Sequence, residues 1–398
     1  MKPLSKHAQN ISPSLTVAID TLAKNLIAQG KKIISLAAGE PDSFTPDFIK
    51  NAAIEAIQTN QTRYTNPAGI EKVREAVCHK LKRDHSLVYT PGQIVMTSGA
   101  KHAVFNALQV ILNEGDEVII PSPYWVTYPE LVRFLGGVPV FVETLEQENY
   151  LMNAAALENA ITPKTKCLIL NQPCNPTGAV YSRNQLEQIA KVLVKHDLYC
   201  ISDEVYEYFT YGEEFHSMAA VKGMQERTIL VNGFSKSYSM TGWRIGYNAA
   251  PQEIAALISK VQSQTTHHPS NIAQFAALAA ALDDQKTSVK EMREKFLKRR
   301  NLFLSKLKGI PGIHIEKPEG AFYLFVTISE LFGKKTPQGK VISSSSDFCE
   351  YFLNEYKVAI VPGAAFGNDH CIRISYAAED SLVEEAAARL VQAVQSLK

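Results

Sequence analysis

The sequence has few of the features by which metalloproteins, secreted proteins and nucleotide-binding proteins are identified. Its 398 residues include six cysteines but no CxxC pair, which gives no basis for a metal site and favours reduced thiols. Neither a P-loop nor a GxGxxG motif is present, which weighs against nucleoside triphosphates and nicotinamide cofactors. The N-terminus lacks the apolar core of a signal peptide, and the longest nearly apolar run, residues 275–282, is too short to cross a bilayer. We therefore predict a cytoplasmic protein without a metal site or a membrane partner.

Charge and length narrow the class of protein further. The formal net charge of +1 gives no reason to expect a nucleic acid as partner. A chain of 398 residues is also too long for one ordinary hydrophobic core. We predict a large domain over residues 46–288 and a small C-terminal domain over residues 289–398. Residues 1–45 are expected to form an N-terminal arm and part of the small domain.

Between residues 46 and 250 helical and strand patterns alternate, which favours a mostly parallel sheet covered by helices on both faces. Predicted strands cover 93–97, 117–120, 138–142, 167–170, 198–202 and 228–231. The predicted helices include one capped by Thr45 with Pro46 as its first residue, one from Gly99 to Leu112, one after Pro123, and one opened by a capping box of Ser182 and Gln185. After residue 285 the pattern becomes α+β, with a long helix from near Val289, strands at 321–326, 358–361 and 371–375, and a helix capped by Ser346.

The chemically useful residues follow the predicted strands. In open α/β sheets, ligands bind beyond the carboxyl ends of the strands. Those ends carry a helix start, an aromatic pair, an amide, a carboxylate with a phenol, and a lysine; in chain order they are Gly99-Ala100-Lys101, Tyr124-Trp125, Asn175, Asp203 with Tyr206, and Ser235-Lys236.

One cofactor uses this whole set of groups. Pyridoxal phosphate needs an amine for its aldehyde, a carboxylate for its ring nitrogen and donors for its ring oxygen. Lys236 would supply the Schiff-base amine, Asp203 would face the pyridinium nitrogen, and Asn175 and Tyr206 would donate to the ring oxygen. Each residue also has an ordinary structural interpretation, because a lone lysine is usually solvated and an asparagine in NPTG is usually a turn former.

The same cofactor needs a phosphate site. The start of the helix at Gly99 and Ala100 offers backbone donors, and Arg244 offers a guanidinium group. It is the combination of these groups with the amine and the carboxylate, all at strand ends, that favours pyridoxal phosphate over the structural interpretations.

The motifs that carry these residues resemble those of class I, fold type I pyridoxal-phosphate aminotransferases. They are AGEPD (38–42), TRYTNPAGI (62–70), PSPYWVTYPE (121–130), NQPCNPTGAVY (171–181), SDEVYE (202–207), SKSYSMTGWRIGY (235–247) and CIRISYA (371–377). The resemblance runs from about residue 11 to the C-terminus, and it is greatest to the I-beta aspartate aminotransferases and the aspartate/prephenate aminotransferases. It implies an α/β fold with a mostly parallel seven-stranded sheet in the large domain and a smaller α+β domain.

The resemblance also implies roles for individual residues. Lys236, Asp203 and Tyr206 would be catalytic, with Lys236 carrying the proton between the two reacting carbons. Trp125 would stack on the cofactor ring. Arg373 would hold the substrate α-carboxylate beside Asn175 and Gly39. Tyr64 would reach the phosphate in the neighbouring subunit, which implies a homodimer.

Two further residues bear on the substrate, and a third position departs from the family pattern. Lys101 in GAKHA would bind a distal carboxylate or the phosphate, and Thr16 in PSLTVAI would help to admit prephenate; both also have ordinary structural interpretations. The family often has serine three positions before the lysine, where this chain has Gly233, so Ser235 is expected to replace that phosphate contact. His267 and His268 receive no predicted role.

The predicted activity is transfer of the amino group of L-aspartate to 2-oxoglutarate by a ping-pong mechanism, with prephenate as a further acceptor. An aromatic or alanine-type aminotransferase is the main alternative, followed by a carbon–sulfur lyase. A ligand-sensing transcription regulator is disfavoured, because only about 30 residues precede LAAGEPD and they are not strongly basic.

Overall fold

Thirteen helices and thirteen strands organise residues 2–398, the part of the chain that the computed structural model describes. The helices are α1 (Lys6–Gln9), α2 (Leu15–Ala28), α3 (Asp47–Gln58), α4 (Glu71–His85), α5 (Ala100–Ile111), α6 (Thr127–Phe134), α7 (Ala154–Ala160), α8 (Arg183–Lys195), α9 (Gln252–Gln264), α10 (Asn271–Ala281), α11 (Thr287–Leu307), α12 (Ser345–Tyr356) and α13 (Asp380–Gln395). The strands are β1 (Ile34–Ser35), β2 (Ile94–Thr97), β3 (Glu117–Ser122), β4 (Val138–Glu143), β5 (Thr165–Asn171), β6 (Tyr199–Asp203), β7 (Thr228–Gly233), β8 (Gly246–Ala249), β9 (His314–Ile315), β10 (Tyr323–Thr327), β11 (Val358–Ala359), β12 (Val361–Pro362) and β13 (Cys371–Ser375).

The largest sheet has seven strands in the order β2-β8-β7-β6-β5-β3-β4. The neighbours from β4 to β7 are parallel, whereas β8 runs antiparallel to β7 and β2. Helices cover both faces, and alternate residues of one strand face opposite helices. In β3, Val118 and Ile120 pack in a cluster with α5, whereas Ile119 packs in a cluster with α8. The predicted α/β fold with a mostly parallel seven-stranded sheet is confirmed.

Strand β8 is absent from the sequence prediction. Its four residues, Gly246–Ala249, include a glycine and an asparagine, so they lack the apolar run that identified the other strands. The strand matters for the site because it is antiparallel. Arg244 precedes its start, and the start of an antiparallel strand lies at the edge where the parallel strands end.

The remaining strands form two smaller sheets. One is a four-stranded antiparallel sheet in the order β12-β13-β10-β9, and the other pairs β1 with β11. The segment 358–361, predicted as one strand, is two short strands that join different sheets. The pairing of β1 with β11 brings the N-terminal segment against the C-terminal part of the chain. The domain boundaries at residues 46 and 289 stay a prediction.

Two predicted helix starts are wrong by one or two residues, and each has a local cause. Pro46 is the N-cap of α3, because the Thr45 hydroxyl donates to the carbonyl of Ser239 at 2.7 Å instead of capping. Ser344, not Ser346, caps α12 and accepts a hydrogen bond from the backbone nitrogen of Asp347. The capping box of α8 is confirmed. Within residues 2–398, no helix is both long and apolar enough to cross a membrane.

Candidate active site

A cavity of about 320 Å³ lies at the carboxyl edge of the seven-stranded sheet. Loops after β2, β3, β5, β6 and β7 reach it, as do the loop after β1, helix α2 and strands β10 and β13. Twelve of the residues predicted from the sequence line it: Thr16, Gly39, Ala100, Lys101, Trp125, Asn175, Asp203, Tyr206, Ser235, Lys236, Arg244 and Arg373. The structure therefore brings nearly the whole predicted set together.

Lys236 lies in a mostly buried position facing this cavity. Its Nζ donates to the carbonyl oxygen of Gly39 at 2.6 Å. Burial lowers the pKa of Lys236 to about 8, with Arg244 and Arg373 lowering it and Glu40 and Asp203 raising it. A pKa near 8 gives a substantial fraction of neutral amine at physiological pH, and the neutral amine is the nucleophilic form.

Asp203 ends strand β6 and is 3% exposed. The hydroxyl of Tyr128 donates to its Oδ2 at 2.7 Å. Burial raises the pKa of Asp203 to about 6, while this hydrogen bond opposes the rise. A buried carboxylate without a cationic partner in direct contact suits a ligand that brings a positive charge, such as a protonated ring nitrogen.

Asn175 and Tyr206 are held by contacts from other parts of the chain. The backbone nitrogen of Asn175 donates to Oδ1 of Asn171 at 2.8 Å. The hydroxyl groups of Tyr206 and Tyr323 share a hydrogen bond of 2.8 Å. Both predicted residues are buried and line the cavity, so their polar groups are available beside it.

Arg373, on β13, is a buried cation that no carboxylate of the described residues 2–398 neutralises. Its Nη1 donates to Oδ1 of Asn175 at 3.1 Å and its Nη2 to the carbonyl oxygen of Ala37 at 2.5 Å. Its Nε has no partner among the described residues 2–398. The rings of Tyr323 and Phe366 lie 4.6 and 4.9 Å from the guanidinium carbon, and burial lowers the pKa of Arg373. Such a group is suited to a carboxylate ligand.

The start of helix α5 has the features of an anion site. Gly99 is the N-cap, no side chain caps this end, and the guanidinium of Arg244 lies against it. A Cβ atom on Gly99 would lie 2.5 Å from Nη2 of Arg244, and the φ of 84° also favours glycine. The backbone donors and the arginine together suit a phosphate group. A Cβ on Gly233 would lie 3.0 Å from the carbonyl oxygen of Ile245, so a serine here would be a tight fit against the backbone at the start of β8.

Lys101 and Trp125 form another part of the cavity wall. The Nζ of Lys101 lies 5.2 Å from the centre of the Trp125 ring. Partial burial lowers the pKa of Lys101, and the charge of Arg244 lowers it further; no carboxylate contributes among residues 2–398. Thr16 lies on α2, where its hydroxyl shares a hydrogen bond of 3.0 Å with that of Ser14.

Tyr64 lies outside the cavity. It is 88% exposed, and its ring centre lies 5.2 Å from that of His267 and 5.9 Å from that of His268. Its predicted contact with the cofactor of a neighbouring subunit stays a prediction.

The sequence prediction missed several residues that shape the site. Tyr128 contacts Asp203, Tyr323 contacts Tyr206, and Glu40 and Thr241 line the cavity near Lys236. Tyr128 had a local signal, because it lies three positions after Trp125 at the start of α6 and both can face one side. Tyr323 had none, since it comes from a different sheet. Within residues 2–398, no three histidine, cysteine, aspartate or glutamate side chains lie close enough together to hold a metal ion.

Comparison with known proteins identifies the family. Residues 31–390 match the family model described as aminotransferase class I and II. The chain belongs to the class I and II aminotransferases. The aspartate aminotransferase of Bacillus sp. (strain YM-2) is 45% identical over 97% of this chain and 98% of its own length. The probable aspartate/prephenate aminotransferase of Rickettsia bellii is 45% identical over the whole of both chains.

A solved structure gives the same result. The aspartate aminotransferase of Rhizobium meliloti superposes on this aminotransferase with a TM-score of 0.95 and 39% identity, covering 100% of both chains. The predicted family is confirmed, and the protein is a pyridoxal-phosphate-dependent transaminase.

The residues of this aminotransferase fit the cofactor. The α5 start with Arg244 offers a phosphate site, Asp203 offers a buried carboxylate, and Lys236 offers an amine of lowered pKa. These three features come from different loops, and they line one cavity. Arg373 lines the same cavity, and no carboxylate of residues 2–398 pairs with it, which suits a substrate carboxylate.

Proposed function

We propose that this transaminase transfers the amino group of L-aspartate to 2-oxoglutarate, forming oxaloacetate and L-glutamate. The observation that carries the proposal concerns the cations that line the cavity. Lys236 and Arg244 are assigned to the cofactor, and the other two, Arg373 and Lys101, are neutralised by no carboxylate of the described residues 2–398. A dicarboxylic amino acid brings two carboxylates. The relatives named above, which are aspartate and aspartate/prephenate aminotransferases, support the same substrate class.

Arg373 would hold the α-carboxylate. Its planar guanidinium group is fixed between Tyr323 and Phe366, so a carboxylate can approach two of its N–H groups at once. Asn175 and Ala37 each already accept one hydrogen bond from the group, which leaves little freedom for it to turn. The substrate would therefore bind in one orientation.

Lys101 would bind the distal carboxylate. A lysine in the first turn of a helix opposes the helix dipole, so its charge is better satisfied when an anion binds. Thr16 on α2 lines the same cavity, and we propose that it helps to admit prephenate as a further acceptor.

The cofactor would be held by residues whose geometry is described above. The α5 start, Arg244 and Ser235 would hold the phosphate, Trp125 would cover the ring, and Asn175 and Tyr206 would donate to the ring oxygen. When bound, pyridoxal phosphate supplies the aldehyde that takes the amino group and a ring that accepts the electron pair of the broken Cα–H bond. The carboxylate of Asp203 would keep the ring nitrogen protonated.

The proton is moved by Lys236. Its Nζ would accept the proton from Cα of the bound amino acid and return it to the cofactor carbon that had carried the aldehyde, on the other side of the amino nitrogen. This role needs the amine to be neutral when the substrate is in place. The lowered pKa meets that need. The amino acid and the 2-oxo acid would use the same cavity in turn, which is the basis of the ping-pong mechanism.

We also propose a homodimer, in which Tyr64 reaches the phosphate of the partner site, and a cytoplasmic location, where the six free cysteines stay reduced. The division into a large domain over 46–288 and a small domain over 289–398, with residues 1–45 as the N-terminal arm and part of the small domain, is part of the same proposal. It is supported by the seven-stranded sheet between residues 94 and 249 and the four-stranded sheet between 314 and 375.

The substrate proposal is tested by Lys101→Met. We expect kcat/KM for aspartate and glutamate to fall about 100-fold, because a charge-assisted hydrogen bond worth ~1.5–3 kcal/mol is lost. The values for alanine and phenylalanine should change by less than about threefold, and the absorption of the bound cofactor should be kept. Lys72→Met, an exposed lysine on α4, is the matched control. An equal loss with alanine would contradict the role of Lys101, and a wild type that prefers phenylalanine or alanine would favour the alternative substrates.

A further inference from the structure

The loop that follows β1, residues 36–46, supplies backbone acceptors to both cations at the centre of the site. The carbonyl oxygen of Ala37 accepts from Arg373 at 2.5 Å, and that of Gly39 accepts from Lys236 at 2.6 Å. Residues 37–40 all line the cavity. The position of this short stretch therefore bears on the amine and on the carboxylate site together.

Side-chain hydrogen bonds fix this loop to other parts of the chain, and they lie at different distances from Gly39. Asp42 binds Arg299 of α11 through two hydrogen bonds of 2.8 Å, and Thr45 donates to the carbonyl oxygen of Ser239. Both anchors are three or more residues from Gly39. The neighbouring residue, Glu40, accepts a hydrogen bond from the hydroxyl of Thr241. Glu40 is thus the anchor adjacent to the carbonyl that contacts Lys236.

Thr241 lies on the segment that carries Lys236. Its carbonyl oxygen accepts from Nη1 of Arg244 at 2.9 Å, so the same residue is fixed to the arginine of the anion site. On the other side, Gly39 is limited by Tyr323, whose Oη would lie 2.7 Å from a Cβ placed on Gly39. Gly39 therefore has little room to move, because Tyr323 lies against its Cα and the contact with Thr241 holds the next residue, Glu40.

We propose that Glu40 and Thr241 form a latch that positions Lys236, by holding the Gly39 carbonyl against its Nζ and by keeping one negative charge beside it. Both are positioning residues, since they act through Gly39 and through charge. The inference rests on the proposed role of Lys236 as the reacting amine. The latch would set the position and the charge environment of that amine from a different part of the chain.

The charges around Lys236 give the latch a measurable effect. The groups that act on it are Glu40, Asp203, Arg244 and Arg373, and of these the two carboxylates raise its pKa while the two arginines lower it. Loss of the Glu40 charge should therefore lower the pKa of Lys236 further. Loss of the Thr241 hydroxyl should do the same, because the Gly39 acceptor and the charge would no longer be held in place.

The test measures Lys236 itself in the cofactor-free protein. Acylation by a small amine-reactive reagent is followed against pH, and labelling of the Lys236 peptide is measured by mass spectrometry. In Thr241→Val the midpoint should move down by about half a pH unit, and Thr241→Ser should restore it. Glu40→Gln should also move it down, while the amide oxygen can still accept from Thr241. With the cofactor bound, kcat of Thr241→Val should fall three- to tenfold, in line with one lost hydrogen bond.

Thr45→Val is the matched control, because it removes another hydroxyl that joins the same two segments away from Gly39. The latch would be overturned if the labelling midpoint of Lys236 in Thr241→Val were that of the wild type. It would also be overturned if Thr45→Val shifted the midpoint as much as Thr241→Val does. An unchanged midpoint in Glu40→Gln would overturn its electrostatic part. The proposed role of Lys236 as the reacting amine is tested separately. If that role were wrong, Lys236→Met would keep wild-type transamination, whatever the latch variants do.

Discussion

At the scale of single residues, burial acts on the two central ionisable groups in opposite directions. It lowers the pKa of Lys236 to about 8 and raises the pKa of Asp203 to about 6, because a low-dielectric site disfavours the charged form of either group. Each buried charge therefore lowers the free energy of unfolding of the cofactor-free protein. The cofactor brings an aldehyde to the amine and a cation to the carboxylate, so its binding relieves both costs.

Lys236→Met should make the cofactor-free protein more stable near neutral pH. The folded-state pKa lies below the value of 10.5 for a free lysine. Below pH 8 both states are protonated and the cost of the buried charge is present in full, about 3 kcal/mol at most. Between pH 8 and 10.5 the folded state has lost its proton and the cost declines. We expect the gain from the substitution, measured by urea unfolding, to be larger at pH 7 than at pH 9.5.

Lys290→Met, an exposed lysine on α11, serves as the control and should change stability by less than about 0.5 kcal/mol at either pH. A gain that is the same at both pH values would show that lost charge is not its cause.

At the scale of helices and strands, a buried ion-pair network joins α4 to the segment that follows β6. Lys80 is 2% exposed and donates to Oε1 of Glu207 at 2.7 Å, and the other oxygen of Glu207 contacts His85. Lys80 lowers the pKa of Glu207, and Glu207 raises that of Lys80 against the effect of burial. This segment starts directly after Asp203, so the network helps to fix the strand end that the cofactor would use.

Lys80→Met should destabilise the protein by about 3–5 kcal/mol, since Glu207 would keep a buried charge without its main partner. The denaturation midpoint in urea measures this, with Lys82→Met on the exposed face of α4 as the control. If both variants unfolded at the wild-type midpoint, the network would have no net role in stability.

The same scale shows why some elements were predicted and others were not. Apolar runs identified β5, β6 and β7, because strands buried on both faces read as continuous apolar segments. Strand β8 has no such run, and the cap of α12 had three neighbouring serines as equal candidates. Prediction of the site succeeded where a residue lies at the end of an apolar strand that the sequence itself shows, as Asp203 does. It failed for Tyr323, whose partner Tyr206 lies 117 residues away, since no local pattern reports such a contact.

At the scale of the whole molecule, the chain exposes several large apolar side chains, five of which lie between residues 44 and 64. Phe44 is 90% exposed and Tyr64 is 88% exposed, and helix α3 exposes Ile54 and Ile57 at 50% and 52%. Exposed aromatic residues of this kind are typical of protein interfaces. The proposed homodimer would cover such side chains, and it would bring Tyr64, which does not line the cavity of its own chain, to the site of the partner.

Subunit complementation tests this arrangement. Lys236→Ala removes the amine, and Tyr64→Ala removes the proposed phosphate contact from the partner's site. When differently tagged copies of the two variants are co-expressed, a heterodimer has one site with both defects and one site with neither. Purified heterodimers should therefore recover about half of the wild-type activity per dimer at limiting cofactor concentration, whereas each parent variant remains weak. If each subunit built its site alone, the heterodimer would show only the average of its parents, and Tyr64 would belong to no shared site.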